Sequence, residues 1–226
     1  MTTLPTLCPS ATSRRDGAPT EAHLRELPKA AAALAALAAT SAIARDGVPA
    51  WEATVFDRIN NLPNAAEPLL WLPMQLGSLF GPFVVAGAAW ARWRRWQPTV
   101  GAVVVGVAAW QAAKLVKDDI ERGRPGDLAP AIVRRWGTPK DGLGFVSGHS
   151  AVAFSLAGVV SPYLGRRWRP VAYAMAVSVS LARIHVAAHY PLDTVGGASL
   201  GLLLAYGYNA SVGVPPDTTV AAQKRR

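Results

Sequence analysis

Apolar residues in this chain come in long runs, and short clusters of charge separate them. The runs cover 30–44, 69–91, 98–116, 151–164, 170–187 and 194–212. Runs of this kind predict membrane helices, which need about 20 apolar residues to span. The first run, flanked by Lys29 and Arg45, is short by that measure, and its ending Ala42-Ile43-Ala44 resembles a signal-peptide cleavage site. A retained first helix is the preferred reading, because the leading tail is long and lacks a compact basic start. Pro73 and Pro82 interrupt the second run. The expected fold is therefore all-α, a six-transmembrane-helix bundle.

The remaining segments are polar. Residues 1–28 are rich in Thr, Pro and charge without an apolar period, as in a disordered tail. A membrane domain over 29–213 follows, and 214–226 form a basic tail. Inside the domain, 46–67 is a polar connection, 117–148 the longest charged loop and 188–193 a turn.

The chain has 226 residues, of which 51% are hydrophobic and 16% charged, with a formal net charge of +9. So large a positive charge raises nucleic acid as a partner. Its distribution points to phospholipid headgroups instead, because the basic residues form knots between apolar runs. The knots are Arg92-Trp93-Arg94-Arg95 and Arg166-Arg167-Trp168-Arg169. Trp93, Trp96, Trp136 and Trp168 lie near charged segments, where interfacial aromatics belong. Cys8 is the single cysteine, so no internal disulfide forms, and no apolar stretch precedes it to make a lipid-attachment site. If the tail bearing Arg14 and Arg15 is cytoplasmic, six crossings put both knots and Lys224-Arg225-Arg226 on that side. Loops 46–67, 117–148 and 188–193 then share the outer face of a multi-pass plasma-membrane protein.

Those outer segments carry the candidate chemistry. In Phe145-Val146-Ser147-Gly148-His149-Ser150, Ser147 suits a helix N-cap. Gly148 allows close approach to the backbone, and a helix start attracts anions. His149 adds a titratable ring there. At the end of the third run, Lys117 and Arg124 are seven apart, so a continuing helix would set them on one face, with Gly123 and Pro125 ending it. Near the end of the fifth run, Arg183 is a charge that needs a partner or a cavity. Pro191 suits a first helical turn, with His189 just ahead of it and Asp193 inside it. A carboxylate bonded to one imidazole nitrogen leaves the other free as a nucleophile. Two imidazoles, one carboxylate and three cations suit phosphoryl transfer, in which cations neutralise the equatorial oxygens. A metal hydrolase built on His185, His189, His149 and Asp193 fits less well, because Arg183 and Lys117 would crowd a dication. His185 reads as a packing or hydrogen-bonding residue. An anion transporter and a lipid phosphotransferase use the same inventory.

The spacing resembles the type-2 phosphatidic acid phosphatase (PAP2) superfamily, which includes vanadium haloperoxidases. Its signatures appear as Lys117…Arg124-Pro125, Val146-Ser147-Gly148-His149 and Ala182-Arg183…His189…Asp193. Val146 replaces the family's Pro and Ala182 its Ser, changes that bear on loop geometry more than on chemistry. The resemblance implies that His189 forms a phosphohistidine, oriented by Asp193, and that His149 is the general acid. It implies that Lys117, Arg124, Arg183, Ser147 and Gly148 bind phosphate, with no metal or other cofactor. The substrate class is then a lipid phosphate or pyrophosphate. A polyprenyl diphosphate carrier comes first, and phosphatidic acid and phosphatidylglycerol phosphate follow.

Overall fold

The computed structural model describes residues 24–128 and 132–214. Most of the expected tails therefore fall outside the described residues, with Cys8, Arg14, Arg15 and Lys224-Arg225-Arg226. Among the described residues the structure is helical without strands. The helices of eight or more residues are α1 (Leu27–Arg45), α2 (Ala50–Asn60), α3 (Glu67–Met74), α4 (Gly81–Trp93), α5 (Trp96–Ile120), α6 (Gly148–Val160), α7 (Arg169–His185) and α8 (Pro191–Val212), with a single turn at Pro125–Leu128.

Two expectations need correction. The run 69–91 is not one straight helix, because α3 and its 3-10 extension meet α4 at an angle of 79°. Pro73 lies inside α3, and the backbone of Ser78 turns extended between the pieces, breaking the ladder although hydropathy stays high. The connection 46–67 is also not plain loop, since it contains α2. Helices α1 and α5 are long and apolar enough to cross a membrane, and the bent pair α3–α4 makes a third candidate if taken as one span. Exposed Leu69, Leu72, Phe80, Phe83 and Leu115 suit a lipid environment.

Helix α6 is the hub, packed against α5, α7 and α8, with nine of its thirteen residues buried. Small residues let its neighbours approach closely. A Cβ on Gly197 would run into the Ser147 carbonyl, and one on Gly201 into the Ala151 carbonyl. These glycines are four apart on α8, so one small-residue stripe holds the start of α6 against the second and third turns of α8. The Ser147 N–H also donates to the Asp193 carbonyl oxygen at 2.8 Å, tying the two helix starts.

Candidate active site

Chain direction alone gathers the candidate residues at one end. Helices α5 and α7 run toward that end, while α6 and α8 start from it. The basic knots between α4 and α5 and between α6 and α7 lie at the other end.

Local capping sets the two helix starts as the sequence predicts. Ser147 caps α6, its Oγ accepting from the Ser150 N–H at 3.4 Å. Pro191 opens α8, and the Asp193 carboxylate accepts from the Tyr190 N–H at 2.9 Å. Gly148 is not sterically required by the protein, since a Cβ there would only touch the Trp110 ring at 3.6 Å. The Trp110 ring meets the His149 imidazole edge-on, with centroids 5.6 Å apart.

Lys117 and Arg124 do not share a helix face. Helix α5 stops at Ile120, because Glu121 adopts a left-handed conformation with φ 53°. Arg124 therefore reaches the site from beyond the helix. Its Nη1 donates to the Ala188 carbonyl at 2.7 Å and its Nε to the Gly142 carbonyl at 2.9 Å. Lys117 Nζ donates to the carbonyls of Leu143 and Gly144 at 2.8 and 2.9 Å. Arg183 is buried, yet its Nη1 has only long contacts, 3.5 Å to Met74 Sδ and 3.4 Å to the Gly137 carbonyl. Its Nε has no partner among the described residues.

Charges from all three cations act on both imidazoles, and His149 is also within electrostatic reach of His189. His189 Nδ1 faces Asp193 Oδ2 at 3.5 Å, outside hydrogen-bond geometry. Burial, then the positive charges of Lys117, Arg183 and Arg124, push the His189 imidazole well below the ordinary histidine range. The ring is thus neutral, the form a nucleophile requires.

His185 lies outside the cluster. Its Nδ1 sits 3.1 Å from the Ile59 carbonyl, and its own carbonyl accepts from Asn60 and Arg135. The family departures fall at packing positions, since Val146 and Ala182 are both buried apolar side chains. Two charged residues escaped the sequence reading. Arg122 and Glu52 are buried behind Asp193, with Arg122 donating to both carboxylates. A lone Glu in a polar connection and one Arg within a charge run give no signal of such a contact.

Fold and site together define a helical membrane protein with a partly buried cationic cluster around two imidazoles at one end of the bundle. The chain matches the PAP2 superfamily over residues 99–214, just over half its length and all of the cluster from Lys117 to Asp193. It belongs to that superfamily. Over 103 residues it is 34% identical to phosphatidylglycerophosphatase B of Bacillus subtilis (strain 168), covering 41% of this chain. The match spans about half that relative, 47% of its length. Among solved structures, the fold resembles the first transmembrane PAP2 type phosphatidylglycerolphosphate phosphatase from Bacillus subtilis. That likeness has a TM-score of 0.56 at 23% identity, over 84% of this chain and 94% of that one. It also resembles Aquifex aeolicus LpxE, with a TM-score of 0.61 at 21% identity, over 71% of this chain and 95% of that one.

Proposed function

We propose that the chain is a metal-independent lipid phosphatase working through a phosphohistidine at the outer face of the plasma membrane. The observation that carries this reading is the meeting of two imidazoles with three cations drawn from separate segments. A buried Arg183 short of polar partners is costly, and a bound phosphate oxygen would satisfy it.

In the proposed mechanism, Lys117, Arg124, Arg183, the Ser147 hydroxyl and the Gly148 N–H hold the nonbridging oxygens. Asp193 keeps the proton on His189 Nδ1, so Nε2 attacks phosphorus. The bond from phosphorus to the lipid oxygen breaks, and His149, protonated once the phosphate's negative charge offsets the surrounding cations, delivers its proton to that oxygen. Neutral His149 then takes a proton from water as the water oxygen attacks phosphorus. The P–N bond breaks, and inorganic phosphate and neutral His189 are left.

Two lipid headgroups lead as substrates. Phosphatidylglycerol phosphate is favoured by the name of the relative that is 34% identical. A polyprenyl diphosphate is favoured by a site at the bundle end opposite the basic knots, the side where positive-inside bias puts the exterior. Phosphatidic acid follows them. The test is phosphate release by the purified full chain from each lipid, with and without a strong chelator. Expected are turnover that survives chelation and its loss, by about 1,000-fold or more, in His189→Ala. Activity abolished by chelator and restored by Zn²⁺ would overturn the phosphohistidine reading. Phosphate flux into vesicles that survives His189→Ala, without hydrolysis, would favour a transporter.

A further inference from the structure

Behind the cluster lies a second set of charges that the three sequence signatures do not contain. The Arg122 guanidinium bridges two fully buried carboxylates. Its Nη1 donates to Asp193 Oδ1 at 2.8 Å and to Glu52 Oε1 at 3.2 Å. Its Nη2 donates to Glu52 Oε2 and, at 2.9 Å, to the Gly47 carbonyl. The Tyr190 ring covers the group, with its centroid 5.2 Å from the guanidinium carbon. Glu52 Oε1 also accepts from the Leu192 N–H at 2.7 Å, gripping the first turn of α8 next to Asp193.

We infer that Arg122, held by Glu52, is a positioning residue that fixes the Asp193 carboxylate for its work on His189. The inference rests on the phosphohistidine reading. It follows from how the two oxygens of Asp193 are divided. Oδ1 is committed to Arg122, while Oδ2 accepts from the Tyr190 N–H and faces His189 Nδ1. The cations of the cluster compete for the same carboxylate, since both Lys117 and Arg124 feel its charge. Among the described residues, neither makes an ion pair within 4.0 Å, and neither does Arg183. With Oδ1 occupied, Asp193 stays aimed at His189 and the three cations stay available to phosphate.

Stability alone explains the arrangement poorly, because buried ion pairs often contribute little compared with apolar packing. A planar fork is suited to setting the angle of a carboxylate, which the point charge of a lysine does not do. Without Arg122, Asp193 would turn toward Lys117, and the His189 ring would lose its brace. Misplacing a reacting group by about 1 Å can cost about 100-fold in rate.

The experiment is single-turnover formation of phosphohistidine by the purified full chain, with phosphatidylglycerol phosphate labelled in its terminal phosphate. Burst amplitude counts folded sites, and burst rate reports alignment. Arg122→Gln is expected to slow the burst about 10- to 100-fold at undiminished amplitude. Arg122→Lys should fall between it and wild type, and Glu52→Gln should slow the burst at least about 3-fold. In an Asp193→Asn background, Arg122→Gln should cost no more than about 2-fold further, because its effect runs through Asp193. A lowered amplitude at the wild-type rate would overturn the inference, as would losses that multiply in the double variant. If Arg122→Gln fails to fold, Glu52→Gln and its combination with Asp193→Asn carry the same test. A wild-type chain that hydrolyses the lipid without forming phosphohistidine would sink the underlying mechanism. A wild type that forms it, with Arg122 and Glu52 variants of normal rate, would sink this inference alone.

Discussion

Gly77 is a point where a single added methyl group should misalign the site while every reacting residue keeps its identity. It lies buried in the bend between α3 and α4, against the first turn of α6. A Cβ there would stand 2.7 Å from the His149 carbonyl oxygen, 2.8 Å from Val179 Cγ1 and 2.9 Å from His149 Cβ. Ordinary contact begins at 3.4 Å, so the shortfall to the carbonyl is 3.4 − 2.7 = 0.7 Å. Neither neighbour yields easily. The His149 carbonyl is backbone at the start of the hub helix, and Val179 is fully buried on α7. Overpacking of this kind costs about 1–3 kcal/mol. Part of the strain should move His149 relative to His189, and a shift approaching 1 Å can slow catalysis by up to about 100-fold.

Gly77→Ala is therefore expected to lose at least about 10-fold in kcat, measured as phosphate release per folded site, with a lowered Tm in detergent. Val179→Ala removes the contact on the other side of the new methyl and should restore part of both. Gly87→Ala is the control, because a Cβ there meets nothing within 4 Å. A Gly77→Ala protein with a lowered Tm but kcat within about 3-fold of wild type would refute the reasoning. It would mean that the bend gives way toward lipid and leaves the His149–His189 spacing intact.

Two further predictions follow from charge. The folded chain keeps His189 neutral below its ordinary value of 6.5, whereas the unfolded chain protonates it there. The unfolded state binds the extra proton, so stability falls as pH drops below about 6.5, and His189→Ala should flatten that part of the Tm–pH curve. Sidedness can be read by labelling with an impermeant maleimide in a Cys8→Ser background. Lys140→Cys, on the site end, should label from outside intact cells, and Arg167→Cys, in the second knot, only after permeabilisation. The reverse pattern would turn the protein over in the membrane.

What the sequence made legible was local. A Ser before an apolar run and a Pro at a helix start are set by neighbouring residues, so Ser147 and Pro191 fall at the helix starts their surroundings predict. The break in 69–91 was hidden because hydropathy averages over Pro73 and Ser78 without registering a turn of 79°. The face shared by Lys117 and Arg124 was misread for a similar reason. Nothing in the composition of the run says that Glu121 takes a left-handed conformation and ends α5 three residues before Arg124. Glu52 and Arg122 are the harder case. Their contact joins positions 70 apart, and each looks like any charge in a polar segment until α2 is folded against α8.

The layout of helix ends explains how three cations can share a small volume before substrate arrives. Lys117 lies in the last turn of α5 and Arg183 in the last turn of α7, where helix carbonyls carry partial negative charge. A cation in that position gains about 0.3–1 kcal/mol, and Lys117 and Arg124 add direct bonds to loop carbonyls. Neutral dipoles hold these side chains without cancelling their charge, as a carboxylate would. The opposite ends, the starts of α6 and α8, present positive dipole ends to the same space. Under the proposed function, an incoming phosphate would therefore meet cationic side chains that are already oriented, with no ion pair to break before it binds.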